Sequence, residues 1–218
     1  MAILSEPGKI LITGATHGIG KAAAELFCSR GWEVYGISGN GEDGRGAAME
    51  KTLPGFHYRV ADVSNEPEIS ALLGRIGQLD AAFNNAGTGI APQKLPEADI
   101  ARARRVIDVN LVGTLICMKH EIAHMPGSGV VVNNASLAAF KAATGADMSY
   151  SASKAGVLAL TAEAAANPEF AGRVSFFSIA PGYIETRMTA ADDKEAQKRR
   201  LPSRRLGQPA EVAALVYN

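Results

Sequence analysis

The stretch "KILITGATHGIG", Lys9 to Gly20, decides the fold. A short apolar run leads directly into a loop with Gly14, Gly18 and Gly20 at its tight places, and then into a helical pattern reaching about Arg30. Glycine lets a backbone turn sharply and approach a pyrophosphate, and a helix N-terminus offers free N–H groups and a partial positive charge. The last glycine is not followed by Lys-Ser or Lys-Thr, so the loop is not a P-loop. A plain turn from strand to helix would look the same, so the rest of the chain has to corroborate a nucleotide.

Working outward, β-rich runs alternate with helical ones. "EVYGIS" and "HYRVAD" are followed by a helix over Glu66 to Ile76, then by "DAAFNN" and a long helix around Ala98 to His124. "GVVVNNAS", a helix from Ser149 through Ala166, and "RVSFFSIAPG" complete the series. This rhythm with apolar strands predicts an α/β fold, a doubly wound parallel sheet with helices on both faces, built as one domain over residues 1–218. Such sheets bind ligands at the carboxyl ends of their strands. The informative residues stand there: the glycine loop after the first strand, Asp62 after the third, Asn84 to Gly87 after the fourth, Ser136 after the fifth, and Pro181 to Thr186 after the sixth.

The 22 basic and 22 acidic residues cancel, so no long-range field favours nucleic acid or an anionic membrane, and a small-molecule partner is expected. Cys28 and Cys117 sit in apolar helical patterns, the N-terminus lacks a signal-peptide pattern, and no apolar run approaches the roughly 20 residues of a membrane span. A cytoplasmic location is expected. "KRRLPSRR", Lys198 to Arg205, reads as a solvated surface segment.

"YSASK", Tyr150 to Lys154, places a phenol and an ammonium on one helix face. A core helix has no need of that pair. After the second strand, Ser38, Gly39 and Asn40 occupy the place where an NAD-binding fold puts a carboxylate, and His17 could add positive character nearby. NADP is therefore favoured over NAD. Against it, no Arg follows Ser38, and Glu42 and Asp43 stand close by.

"TGATHGIG", "NNAG", Asn110 in "DVNLVG", Ser136 in "NNAS", "YSASK" and "APGYIET" occur in the order and at about the spacing of the short-chain dehydrogenase/reductase family, whose classical branch the sequence resembles from Lys9 to about Ala214. The resemblance implies interconversion of a ketone or aldehyde with its alcohol, chiefly as a reduction. It makes Tyr150 the general acid/base, its pKa lowered by Lys154 and by the oxidised cofactor. Lys154 also binds the nicotinamide ribose, Ser136 donates to the substrate oxygen, and Asn110 holds a water that links Lys154 to solvent. Gly14, Thr16, His17, Gly18, Ile19, Gly20 and Ser38 are implied at the cofactor, with Asp62 and Val63 at the adenine. Asn85, Ala86 and Gly87 are implied under the ribose, and Pro181, Gly182, Ile184 and Thr186 around the nicotinamide. The substrate pocket falls to Thr88–Lys94, Leu137–Met148 and Tyr183–Leu201. The last is polar and reads as a lid.

Three further expectations follow. Family members continue beyond "RLGQPAEVAALVYN" with another strand, whereas the chain stops at Asn218, so that strand is expected to be missing and the sixth to form an edge. The resemblance implies a homodimer or homotetramer, and Ala152, Ala155, Ala159 and Ala162 would allow close helix packing. "HEIAH", His120 to His124, matches a zinc-hydrolase pattern, but Pro126 and Gly127 end its helix at once, so the match reads as accidental and no metal is expected. A noncatalytic cofactor sensor on the same fold is the alternative to an enzyme.

Overall fold

A computed structural model describes residues 6–39, 44–140, 146–190 and 193–218. Asn40, Glu42, Asp43, Asp192 and positions 141–145 of the expected pocket lie outside the described residues. Six parallel strands form one sheet: β1 (Lys9–Thr13), β2 (Glu33–Ser38), β3 (Phe56–Val60), β4 (Ala81–Asn84), β5 (Gly129–Asn134) and β6 (Val174–Ile179). Their spatial order is β3-β2-β1-β4-β5-β6. The chain winds outward from β1 in one direction and then, from β4, in the other. A crevice therefore opens at the carboxyl end of β1, where Gly14 begins the glycine loop.

Side-chain alternation in β1 explains the layers. Ile10 and Ile12 join one core with Phe27, Val34 and Phe83, while Leu11 joins the other with Ile37, Ile69, Leu73 and Val131. Helices α1 (Gly18–Ser29) and α2 (Arg45–Thr52) follow β1 and β2, and α3 (Glu66–Ile76) follows β3. The helix α2 was not expected from the sequence. It is short and polar, with Gly46 and Met49 its buried residues, so it offers little apolar periodicity to read.

The long helix expected around Ala98 to His124 runs without a gap from Ile100 to Ala123, but it changes form on the way. Helix α4 (Ile100–Ile107) meets α5 (Gly113–Ala123) through a π-helical turn, Asp108–Val112. Inside that turn the Asn110 carbonyl accepts a bond from the Thr114 hydroxyl at 2.8 Å. Such turns widen a helix locally and recur at functional positions. Helix α6 (Met148–Ala166) precedes β6, and α7 (Lys194–Arg200) and α8 (Pro209–Tyr217) follow it. Helix α8 packs on α1, with the Phe27 and Tyr217 rings edge-on at 5.2 Å. Among the described residues β6 pairs with β5 alone, which leaves it at the edge of the sheet with Phe177 44% exposed.

Candidate active site

The start of α6 is held by Asp147, whose Oδ1 accepts a bond from the Ser149 N–H at 2.8 Å. That cap aims the first turn so that Tyr150 and, one turn on, Lys154 face the carboxyl ends of β4 and β5. Lys154 is buried, with Nζ 5.8 Å from the Tyr150 ring centroid, and it donates to the Asn134 carbonyl at 2.6 Å. Burial pushes its pKa down to about 8. Burial raises the Tyr150 phenol above its ordinary value, and a hydrogen bond with Ser136 counters this in part. Lys154 is not among the groups that shift the phenol: burial dominates at Tyr150, and the ammonium donates to Asn134.

Asn134 ties this corner to the glycine loop. Its Nδ2 donates to Asn85 Oδ1 at 2.9 Å, and Asn85 Nδ2 donates to the Thr13 carbonyl at 3.1 Å. The buried Thr13 Oγ1 accepts from the N–H groups of Asn85 and Ala86 at 2.9 and 2.8 Å, which turns the chain after β4. Asn110, fully buried, clamps the same segment: Oδ1 accepts from the Thr88 N–H at 2.8 Å, and Nδ2 donates to the Thr88 carbonyl at 2.9 Å and to Ser153 Oγ at 3.0 Å. A Cβ at Gly87 would stand 3.4 Å from Asn110 Oδ1 and 3.6 Å from Lys154 Nζ, so the two polar atoms share one space behind Gly87.

Beside this network, with Asn110, Thr13 and Ser153 behind its lining, runs a cleft of about 420 Å³. Gly14, His17, Gly18 and Ile19 form one wall, Asn85, Ala86 and Gly87 the floor, Ser136, Tyr150 and Lys154 the far end, and Pro181, Gly182, Ile184 and Thr186 the other wall. The glycine loop fits a pyrophosphate. Gly14 has φ +66°, and a Cβ at Gly20 would lie 2.2 Å from the Gly14 carbonyl oxygen, so the loop closes onto the start of α1 only with glycine there. Arg187, Met188 and Thr189 cover the same wall, and Gly89 adjoins Tyr150.

The remaining expected residues lie around this cleft without lining it. Thr16 is buried, and its Oγ1 shares a 2.9 Å hydrogen bond with His17 Nδ1. Ser38 ends β2 and shares a 2.6 Å bond with the Tyr58 hydroxyl. Val63 packs where a Cβ on Gly113 would come within 2.7 Å of it. Asp62 Oδ1 accepts from the Ser64 hydroxyl at 2.7 Å, and Oδ2 accepts from Arg105 at 2.6 Å. Partial burial works against the Asp62 carboxylate, but Ser64 and Arg105 outweigh it and hold its pKa below the ordinary value.

The "HEIAH" residues are used separately. Glu121 is fully buried and receives Asn84 Nδ2 at 2.9 Å, whereas His120 Nε2 lies 3.1 Å from Glu66 on α3. Among the described residues no three His, Cys, Asp or Glu side chains converge as a metal site would need. Sequence reasoning missed Thr13, Asn134, Ser153 and Arg105. A signal for Asn134 was present: two adjacent asparagines end the otherwise apolar run "GVVVNN".

A doubly wound sheet whose switch point carries a glycine cradle, with serine, tyrosine and lysine at the far end of the same cleft, defines a dinucleotide-dependent oxidoreductase. The family model described as short chain dehydrogenase matches residues 8–197. The chain belongs to the short-chain dehydrogenase family and acts on alcohol or carbonyl groups with NAD(P). It is 36% identical over 216 residues to cis-4-hydroxycyclohexanecarboxylate dehydrogenase of Sinomonas cyclohexanicum, covering 94% of this chain and 86% of that one. It is also 36% identical to cyclohexanol dehydrogenase of an Acinetobacter species, over 94% of this chain and 84% of the other. A solved structure of ElxO with NADP bound superposes with a TM-score of 0.87 at 26% identity, covering 97% of this chain and 90% of that one. No helix of the described residues is long and apolar enough to cross a membrane.

Proposed function

We propose that the protein reduces a cyclic ketone to its secondary alcohol with NADPH, Tyr150 acting as the general acid. The reading is carried by the arrangement of Ser136, Tyr150 and Lys154 at one end of the cleft: the serine is bonded to the phenol and the ammonium sits 5.8 Å from its ring. Bound NADPH would supply the hydride. Ser136 and Tyr150 hold the substrate oxygen from two sides, and Tyr150 delivers the proton to it as negative charge develops there. A phenol kept neutral by burial is in the right state to donate at neutral pH.

Lys154 would orient the nicotinamide ribose from its seat on Asn134, and the Asn110–Thr88 clamp fixes the floor opposite. Gly14, Thr16, His17, Gly18, Ile19 and Gly20 would receive the pyrophosphate, with Ser38, Asp62 and Val63 around the adenosine and Pro181, Gly182, Ile184 and Thr186 around the nicotinamide. NADPH is preferred because β2 ends in Ser38, which leaves no carboxylate at that position to repel a 2′-phosphate. A ring-shaped substrate is supported by the names of two relatives, whose alcohols are cyclohexane derivatives. An exposed apolar side chain also lines the cleft, Met188, 54% exposed.

We place the protein in the cytoplasm as one domain that assembles as a homodimer or homotetramer. Titration with NADPH and NADH in parallel, followed by turnover of cyclohexanone derivatives, tests the reading. Tighter NADPH binding and NADPH oxidation that requires the ketone support it. Binding without turnover of any carbonyl would leave a cofactor sensor.

A further inference from the structure

The reaction leaves one buried acid unused. Glu121, on α5, has no exposed surface, and burial pushes its pKa up to about 8 despite the bond it accepts from Asn84. Around it lies a polar cluster whose orientation is set from an atom that can only accept. The Val157 carbonyl receives the Thr161 hydroxyl at 2.7 Å, and Thr161 Oγ1 in turn receives Asn133 Nδ2 at 2.9 Å. Asn133 therefore turns Oδ1 toward Asn84, which must present Nδ2, at 3.0 Å. The same Nδ2 donates to Glu121 Oε2 at 2.9 Å.

Two buried atoms of this pair then lack a partner, Asn84 Oδ1 and Glu121 Oε1. Both are acceptors if Glu121 is ionised, and two buried acceptors left without a donor are costly. A single proton on Oε1 supplies the missing donor. We propose that Glu121 is a positioning residue of the active site: a neutral carboxylic acid that donates from Oε1 to Asn84 Oδ1, closing a cyclic acid–amide pair that fixes the carboxyl ends of β4 and β5 beneath Lys154. Asn84 and Asn133 are register partners in the sheet. The residues that follow them in the chain, Asn85 just past β4 and Asn134 at the end of β5, form the bond that joins the glycine loop to the seat of Lys154.

The proposal rests on the catalytic reading of Lys154 for its effect on turnover, while the acid–amide pair stands independently of it. The other ionisable groups on and against α5, Lys119, His120 and Glu66 of α3, are common to the wild type and Glu121→Gln, so the difference between the two isolates Glu121. Its own helix presents Cys117, whose thiol burial holds well above its ordinary range, and β4, β5 and α6 present Asn84, Asn133 and Thr161, none of which titrates. No charged side chain contributes to its shift. Because the folded pKa lies above the ordinary 4.5, the folded chain keeps a proton that the unfolded chain has released. Stability therefore falls as pH rises from about 4.5 to about 8 and is flat above that.

Glu121→Gln reproduces both hydrogen bonds without a titratable proton, and Glu121→Leu removes both. At pH 6 the infrared spectrum of the wild type minus Glu121→Gln is expected to show the C=O stretch of a protonated carboxylic acid, shifted in D2O. The melting temperature of the wild type should decline relative to Glu121→Gln between pH 5 and pH 8. Glu121→Gln should keep kcat within about threefold, and Glu121→Leu should lose about tenfold in kcat with NADPH affinity little changed. Absence of the band, or a Gln variant as damaged as the Leu variant, overturns the neutral acid. Wild-type kcat in Glu121→Leu overturns the positioning role. Should Glu121→Leu fail to fold, the band and the Gln melting profile still decide the pair. A wild type that turns over no carbonyl while showing the band would sink the catalytic reading and leave the pair standing.

Discussion

Lys154 donates to the backbone carbonyl of Asn134 at 2.6 Å, with its Nζ 5.8 Å from the centroid of the Tyr150 ring. The lysine is thus anchored to the end of β5, and Ser136 is the hydrogen-bond partner that the structure gives to the phenol.

Replacing Tyr150 with Phe removes the proton donor and keeps the ring. Ketone reduction should fall by about 10²- to 10⁴-fold, the usual worth of a positioned acid. NADPH affinity should stay within about threefold by fluorescence titration, since a loss of 1.4 kcal/mol would already be tenfold. A sensor would lose neither function.

The charge of Lys154 predicts a pH window for stability. The folded chain releases this proton near pH 8, whereas the ordinary value is 10.5, so between the two the unfolded chain binds more protons. Stability of the wild type relative to Lys154→Met should therefore rise with pH across that window. Chemical denaturation at pH 7.5, 9 and 10 measures it, and parallel behaviour of the two proteins would contradict the buried, proton-shedding lysine.

Gly20→Ala should damage cofactor binding at its source. The added methyl would stand 2.2 Å from the Gly14 carbonyl oxygen and 2.6 Å from Asn85 Nδ2, so either the loop or the Asn85 side chain must move. A loss of at least about 1.4 kcal/mol, tenfold in the NADPH Kd, is expected. Retained affinity would mean that the loop does not carry the pyrophosphate.

Arg105→Ala separates affinity from stability. The Arg105–Asp62 pair is partly exposed, 54% and 29% at its side chains, so its removal should cost below about 1 kcal/mol in unfolding free energy. If Asp62 meets the adenine as proposed, its carboxylate, freed from the 2.6 Å bond to Arg105, should hold the nucleotide less well, and the NADPH Kd should rise several-fold. Salt should weaken the wild type toward the variant.

Phe83→Ala tests the core beneath the crevice. Phe83 lies in the middle of β4 with no exposed surface, and its loss should cost about 3–5 kcal/mol by denaturant titration. A cost below about 1 kcal/mol would mean that the sheet repacks around the cavity.

The sequence by itself determined the features that local pattern encodes. Apolar runs of strand length, each followed by a helical period, defined the parallel sheet and placed the informative residues at strand ends. A four-residue spacing put Tyr150 and Lys154 on one face of α6. Glycines at Gly14 and Gly20 marked the cradle because only a residue without Cβ fits there. Contacts between distant segments were decided by the tertiary structure alone. The strand order placed β4 beside β1, which brought Asn85 to Thr13 across 72 residues. Pairing of β4 with β5 set Asn84 against Asn133, and the packing of α5 buried Glu121 against Asn84. The π-helical turn that carries Asn110 lies inside a helix that periodicity alone read as regular. The burial that raises the Tyr150 pKa and the Ser136 bond that lowers it were likewise set by packing, since a phenol's pKa follows the solvent and partners around it.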